Sequence, residues 1–213
     1  MQKNLSLNYK KKGVDMVSVD FDSVLYDLEI VLLNELKDLY GKEIKDLMEI
    51  DSWDYYKKFP RVIECFSDFE RYSKGRAKEG AKEFLSSLKN MVGEKNVQIV
   101  TASPEPIVEK KNKMILDMFG DIKVIHSFQK PKYTKGTVLI DDAVHNVLDH
   151  YQQTGSPAIL FDPGYGWNQE PVEKTNKGIV RCGSYEESLK ELKNIKKKGL
   201  LHANKFIFGN QKK

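Results

Sequence analysis

A chain of 213 residues is long enough for one sizeable hydrophobic core, or a core plus a small insert. Its 40% hydrophobic and 31% charged content suits a soluble globular protein, and no apolar run approaches the ~20 residues that a membrane-spanning helix needs. The net charge of +4 collects in lysine runs near the ends (Lys10 to Lys12, Lys196 to Lys198, Lys212 and Lys213) without interleaved aromatics, a pattern of solvated termini rather than of a nucleic-acid surface.

Residues 1–13 read as a loose polar tail without an apolar signal core, which sets the expectation of a cytoplasmic protein. The two cysteines, Cys65 and Cys182, lack metal-type spacing and suit reduced thiols. The first predicted element is a short buried strand at about 14–20, with β-branched Val17 and Val19 behind the turn formers Gly13 and Asp15. It ends in two carboxylates, Asp20 and Asp22. Packing calls for no acid there, because a carboxylate at the end of a buried strand is costly unless it is paired or holds a cation. An amphipathic helix follows at about 27–40, with Gly41 as its stop. A strand that ends in acids and turns into a helix is where open α/β sheets place ligand sites. Alone, the acid pair is weak evidence, since either residue can cap the next helix.

From Lys42 to about Gly80 the chain changes character. It carries Trp53, Tyr55, Tyr56, Phe59, Phe66, Phe69 and Tyr72 with few alternating runs, and reads as a small helical insertion. Its aromatics form either the core of that insertion or a lid over the acids. A helix at 80–89 then presents Phe84, Leu85 and Leu88 on one face. A second strand at 97–100 ends in Thr101-Ala102-Ser103-Pro104, where the Thr101 hydroxyl can serve a phosphate oxygen or cap the helix over 106–119. A third strand at 122–125 leads to a loop with Lys130, Lys132 and Lys135, in which one lysine beside a phosphorylated aspartate would offset its charge. The fourth strand, 137–140, again ends in two acids, Asp141 and Asp142, before a helix with His145 and His150 expected on its surface. A fifth strand at 156–161, a loop of turn formers and aromatics at 162–168, a short strand at Ile179 and Val180, and an amphipathic helix at 185–198 complete the chain.

Alternating strands and helices imply a mostly parallel sheet, so the strand ends share one edge. That gathers Asp20, Asp22, Thr101, a lysine, Asp141 and Asp142. An aspartate can attack phosphorus and divide one hard displacement into two easier ones. A second acid can protonate the leaving oxygen and later activate water. A hydroxyl, a lysine and a hard cation such as Mg²⁺ supply positioning and charge stabilisation.

In this order the motifs resemble those of the haloacid dehalogenase superfamily of phosphotransferases. Val19-Asp20-Phe21-Asp22-Ser23-Val24 resembles its first motif and Val100-Thr101-Ala102-Ser103 its second. Lys130 or Lys132 stands for the lysine of the third, and Val138-Leu139-Ile140-Asp141-Asp142 resembles the fourth. The match spans about residues 14–150. Within the superfamily the chain is most similar to the 5'(3')-deoxyribonucleotidases, on Asp27, the short helical insertion, Glu79-Gly80-Ala81 and Leu139-Ile140-Asp141-Asp142.

The resemblance implies a Rossmann-like three-layer α/β/α fold with a mostly parallel sheet. Its core would cover 14–40 and 81–198, with a helical cap at 41–80 and tails at 1–13 and 199–213. Asp20 is implied as nucleophile and Asp22 as acid/base, with Thr101 and Lys130 at the phosphoryl group. Mg²⁺ would be held by the Asp20 side chain, the Asp22 backbone carbonyl and Asp141, with Asp142 a ligand through water or a support. The candidate substrate contacts are Phe21, Trp53, Tyr55, Ala102, Ser103 and Lys132, with Tyr56 and Phe59 also placed around a base. The implied activity is Mg²⁺-dependent hydrolysis of nucleoside monophosphates, deoxy forms foremost. The alternatives are a phosphatase for another small phosphoester or a nucleic-acid phosphate end, and a catalytically silent binding protein of the same fold. The expected partner is a small phosphoester, with no membrane, no stable nucleic-acid partner, and a homodimer as the candidate assembly.

Overall fold

The computed structural model of the protein describes residues 16–41, 50 and 55–198. Among them, six strands pair in parallel: β1 (Val17–Val19), β2 (Val97–Thr101), β3 (Lys123–His126), β4 (Val138–Asp141), β5 (Ala158–Phe161) and β6 (Ile179–Cys182). Their order across the sheet is β3-β2-β1-β4-β5-β6. The four inner strands are wholly buried, as parallel strands covered on both faces must be. Polar residues collect at the edges, with Lys123 exposed on β3 and Arg181 part-exposed on β6.

Alternation along the strands divides the core in two. Leu139, Ala158, Leu160 and Ile179 pack with Val144 and Val147 of helix α7 (Val144–Thr154). Val138, Ile140, Ile159, Phe161 and Cys182 belong to the larger cluster, which takes in α1 (Leu28–Tyr40), α4 (Ala81–Val92) and α9 (Tyr185–Lys198). This is the doubly covered α/β sheet that the motif order implies. Two details differ from the sequence reading. Strand β1 has three residues within the described chain, and β6 runs two residues further than Val180.

Helix α1 stops at Gly41, whose left-handed φ of 62° lets its N–H reach the carbonyls of Leu36 and Lys37. Between α1 and α4 lie α2 (Tyr55–Lys58), a 3₁₀ helix (Pro60–Phe66) and α3 (Phe69–Tyr72). The outgoing and returning chains are clasped at their base. Asp27 N–H donates to the Arg76 carbonyl at 2.8 Å, Lys78 N–H to the Leu25 carbonyl at 2.9 Å, and Lys78 Nζ pairs with Asp27 at 3.0 Å and Glu29 at 2.9 Å. Trp53 and the two tails lie outside the described residues. No described helix is long and apolar enough to cross a membrane, and both cysteines are free and buried.

His150 corrects the sequence reading, which placed it on the surface. It is fully buried, with Nε2 3.2 Å from the Pro157 carbonyl and Nδ1 2.8 Å from the Thr134 hydroxyl. Residue 150 falls on the α7 face that carries Val147, three residues before it, so its position is inward by helical period. Burial pushes its ring down from 6.5 to about 4. The unfolded chain therefore takes up a proton that the native protein refuses. The stability held by the neutral ring is complete above pH 6.5 and is lost as pH falls through 4. The expected loss across that window is about 3 kcal/mol. Denaturant melts at a series of pH values should show that much more acid sensitivity in the wild type than in His150→Gln.

Candidate active site

The site lies at the carboxyl edge of β1, β2 and β4, where the strand order turns and open sheets leave a crevice. After β1 the chain makes a tight loop. Ser23 sits at φ 57°, and the N–H groups of Leu25 and Tyr26 both reach the Phe21 carbonyl at 2.9 Å. The loop holds Asp20 inward at the strand end and turns Asp22 toward β2.

Two ion-pair groups result. In the first, Lys130 Nζ lies 2.8 Å from Asp20 Oδ2 and 2.6 Å from Asp141 Oδ2. Asp20 Oδ1 accepts the Phe21 N–H at 2.8 Å. Asp141 Oδ1 accepts from the Ala143 N–H at 3.0 Å and Asn146 Nδ2 at 2.9 Å. Burial pushes the Asp20 carboxyl up to about 7; Lys130 opposes this, and Asp141 and Asp22 add to it. Burial also works against the charge on Lys130, but Asp141 and Asp20 outweigh it and hold the ammonium above its ordinary value.

In the second group, Asp22 Oδ2 accepts from Lys111 Nζ at 2.6 Å and the Thr101 hydroxyl at 3.3 Å, and Oδ1 accepts from the Tyr72 hydroxyl. Lys111 also reaches Thr101 Oγ1 at 2.9 Å and the Ala102 carbonyl at 3.1 Å. It is 1% exposed, with its ammonium 5.4 Å from the centre of the Phe21 ring and 5.0 Å from that of Tyr72.

Asp20, Asp141 and Asp142 each offer one carboxylate oxygen, and these lie within 4.8 Å of one another. Asp142 Oδ2 is buried without a hydrogen-bond partner. Burial first, then the charges of Asp141 and Asp20, push its carboxyl well above the usual range. Three buried acids facing one lysine, with an oxygen left over, suit a hard divalent cation with oxygen ligands. The residues present fit such an ion. The described cluster includes the Asp142 side chain, whereas the Asp22 side chain faces Lys111 and its carbonyl accepts the Val24 N–H at 2.7 Å.

The remaining expected residues are divided. Ala102 contributes its carbonyl to Lys111, and Ser103 is buried against His126 Nδ1 at 3.0 Å. Lys132 is exposed on α6 (Pro131–Thr134) and forms no ion pair among the described residues, whereas Lys130 is buried in the cluster. Phe21 does not face the crevice as a substrate platform. It is fully buried, stacked on Tyr26 at 5.0 Å and edge-on to Phe119 at 6.2 Å. Phe59 packs edge-on to Tyr40 at 5.2 Å. The Tyr55 and Tyr56 side chains, like Trp53, lie outside the described residues.

Lys111 and Asn146 were not among the expected site residues, and Tyr72 was noted only as an aromatic of the insertion. A signal for Lys111 exists. Helix α5 (Val108–Phe119) is rich in lysine, but residue 111 stands four after Ile107 and four before Ile115, both buried. A lysine on the buried face of a helix is held there by a charge partner.

No known family model matches the sequence, and no curated protein is similar to it at the sequence level. Solved structures are similar in fold. A haloacid dehalogenase-like family hydrolase from Xanthomonas campestris superposes with a TM-score of 0.52 at 13% identity, covering 88% of this chain and 98% of that one. A phosphoglycolate phosphatase-like protein from Lactobacillus delbrueckii subsp. bulgaricus gives 0.57 at 11% identity over 85% and 99% of the two chains. A third, from Haemophilus somnus, gives 0.51 at 16% identity over 86% and 99%. These likenesses establish the haloacid dehalogenase-like fold.

Lys130→Met should cost the metal-free protein about 3–5 kcal/mol, because two buried carboxylates lose their shared counter-charge. Asp142→Asn should leave metal-free stability unchanged or higher. Mg²⁺ should raise the wild-type melting temperature, corresponding to about 2.7 kcal/mol at a hundred times its Kd. The rise should shrink in Asp142→Asn and vanish in Asp141→Asn. Thermal melts in EDTA and in Mg²⁺ measure all of these effects.

Proposed function

We propose that the protein is a divalent-cation-dependent phosphomonoesterase for small phosphoesters. The observation that carries this reading is the convergence of Asp20, Asp22, Thr101, Lys111, Lys130 and Asp141 at one sheet edge in two separate ion-pair groups, with Asp142 beside the first. Packing gives no reason to bury that many charges together.

In this reading an Asp20 oxygen forms a bond to phosphorus while the bond to the leaving oxygen breaks. The electron pair of that bond goes to the leaving group, which takes a proton from Asp22. Water then attacks the aspartyl-phosphate, Asp22 takes the water proton, and phosphate departs with Asp20 restored. Thr101, Lys111 and Lys130 are the donors nearest the phosphoryl oxygens. Asp20, Asp141 and Asp142 would hold Mg²⁺, with the Asp22 carbonyl as a further ligand. When bound, the ion offsets charge on the phosphoryl group.

The insertion between α1 and α4 serves in this reading as the cap that selects the phosphoester. Nucleoside monophosphates, deoxy forms foremost, are the first substrate class, on the resemblance of the motif set and insertion to the deoxyribonucleotidases. 2-Phosphoglycolate is the second, on the names carried by two of the fold neighbours.

The test is phosphate release from ribo- and deoxynucleoside monophosphates, 2-phosphoglycolate, sugar phosphates and 3'-phosphorylated DNA, with Mg²⁺ and with EDTA. Release should require the metal and fall to background in Asp20→Asn. Asp22→Asn should lose about 10²–10⁴-fold in kcat/KM. Release that survives Asp20→Asn would sink the covalent reading, and a folded, Mg²⁺-binding protein that releases nothing would sink the phosphatase reading.

A further inference from the structure

Among the described residues, Tyr72 is the polar group that the insertion sends into the acid cluster. Tyr72, the last residue of α3, is 1% exposed, and its hydroxyl donates to Asp22 Oδ1. Its place is fixed from the other side. Tyr26, in the loop that carries both acids, stacks on the Tyr72 ring at 5.3 Å and donates its own hydroxyl to the Tyr72 carbonyl at 2.5 Å. Gly75 closes the clasp, since a Cβ there would lie 2.5 Å from the Tyr26 ring. The loop of Asp20 and Asp22 and the end of the insertion thus hold each other through two tyrosines.

The consequence falls on Asp22. The terminal torsion of an aspartate is broad, so a carboxyl held at one oxygen can still turn. Here Oδ2 is engaged by Lys111 and Thr101, and Oδ1, among the described residues, by Tyr72. We infer that Tyr72 is a positioning residue: through its hydroxyl the insertion fixes the rotation of the Asp22 carboxyl, and so the path by which a proton passes to the leaving oxygen. This rests on the assignment of Asp22 as the acid in the phosphatase reading. Neither Tyr72 nor the insertion touches the reacting phosphorus in this scheme. Their contribution is alignment, and misalignment of a proton donor costs rate without removing the donor.

Leaving groups provide a readout that a filler role would not move. A nitrophenolate departs readily without a proton, whereas an alkoxide needs one as the bond breaks. The experiment measures kcat/KM, which reports steps up to phosphoenzyme formation, for phosphomonoesters ranging from 4-nitrophenyl phosphate to alkyl phosphates. Wild type, Tyr72→Phe and Asp22→Asn are compared in Mg²⁺. Tyr72→Phe keeps the ring stacked and removes one oxygen. It should lower alkyl phosphate turnover by about tenfold and 4-nitrophenyl phosphate turnover by less than about threefold, a weaker copy of the Asp22→Asn pattern. An equal loss across the series, or none, overturns the inference. If Asp22→Asn itself shows no leaving-group dependence, the acid assignment fails, and the Tyr72 inference with it. Tyr26→Phe, which loosens Tyr72 without altering it, repeats the test should Tyr72→Phe fold poorly, and a uniform loss there overturns the inference equally.

Discussion

Lys130 lies between Asp20 and Asp141, 2.8 Å from one and 2.6 Å from the other, and the edge of the sheet depends on that arrangement. Three carboxylates are buried there, and a buried acid is tolerated only when paired, hydrogen-bonded or bound to a cation. Much of the polar interior serves to hold the lysine in place. Gln98 on β2 donates to the Tyr133 carbonyl of α6 at 3.0 Å and to Ser18 on β1 at 2.9 Å. Ser18 meets Thr137 at 2.9 Å, and Thr137 donates to the Thr134 carbonyl at 2.8 Å. His150 adds its contact with Thr134 from α7. The short helix after Lys130 is therefore tied to β1, β2, the residue that leads into β4 and helix α7 through hydrogen bonds. Such networks restrict the geometry, although here Gln98 Oε1 is buried without a hydrogen-bond partner.

This explains which parts of the site were legible in the sequence. Asp20, Asp141 and Asp142 could be read because an acid at the end of an apolar strand has no packing explanation, and parallel strands bring such ends together. The choice between Lys130 and Lys132 could not be read. Two residues apart in a loop, they differ only in which way the chain turns, and that is set by distant partners such as Gln98 and His150. Phe21 was misplaced for a related reason. An aromatic between two site acids invites a contact role, but the turn at Ser23 sends its ring into the core against Tyr26 and Phe119. His150 looked like an ordinary polar residue on a helix, yet it lies on the buried face of Val147, and its ring finds partners there in Thr134 and Pro157. The parallel sheet itself was the easiest part, since strand and helix patterns alternate cleanly along the chain.

The second ion-pair group shows how the two acids of one loop come to differ. Asp20 is fully enclosed, bridged through Lys130 to Asp141 and bonded to the loop's own N–H. Asp22 keeps 19% of its side chain exposed and has its own lysine, a threonine and a tyrosine. Two residues of sequence thus separate two electrostatic environments. Groups set apart in this way can take different parts in one reaction.

Those environments draw on every layer of the fold, and this bears on why sequence comparison finds so little. The fold neighbours share 11–16% identity with the chain. A parallel sheet needs only apolar, mostly β-branched residues in its strands, which many sequences supply. The edge chemistry needs a few residue types at strand ends. The supports behind those residues, Gln98 with Ser18 behind Lys130 and the Tyr26–Tyr72 clasp beside Asp22, can be built in many ways, provided that each buried polar group finds a partner. The fold can therefore persist while most positions change. In this chain the insertion is fastened to the acid loop through a tyrosine stack that leaves no room for a side chain at Gly75. A shift of that insertion relative to the sheet would be felt first at Asp22, because Tyr72 connects the two directly.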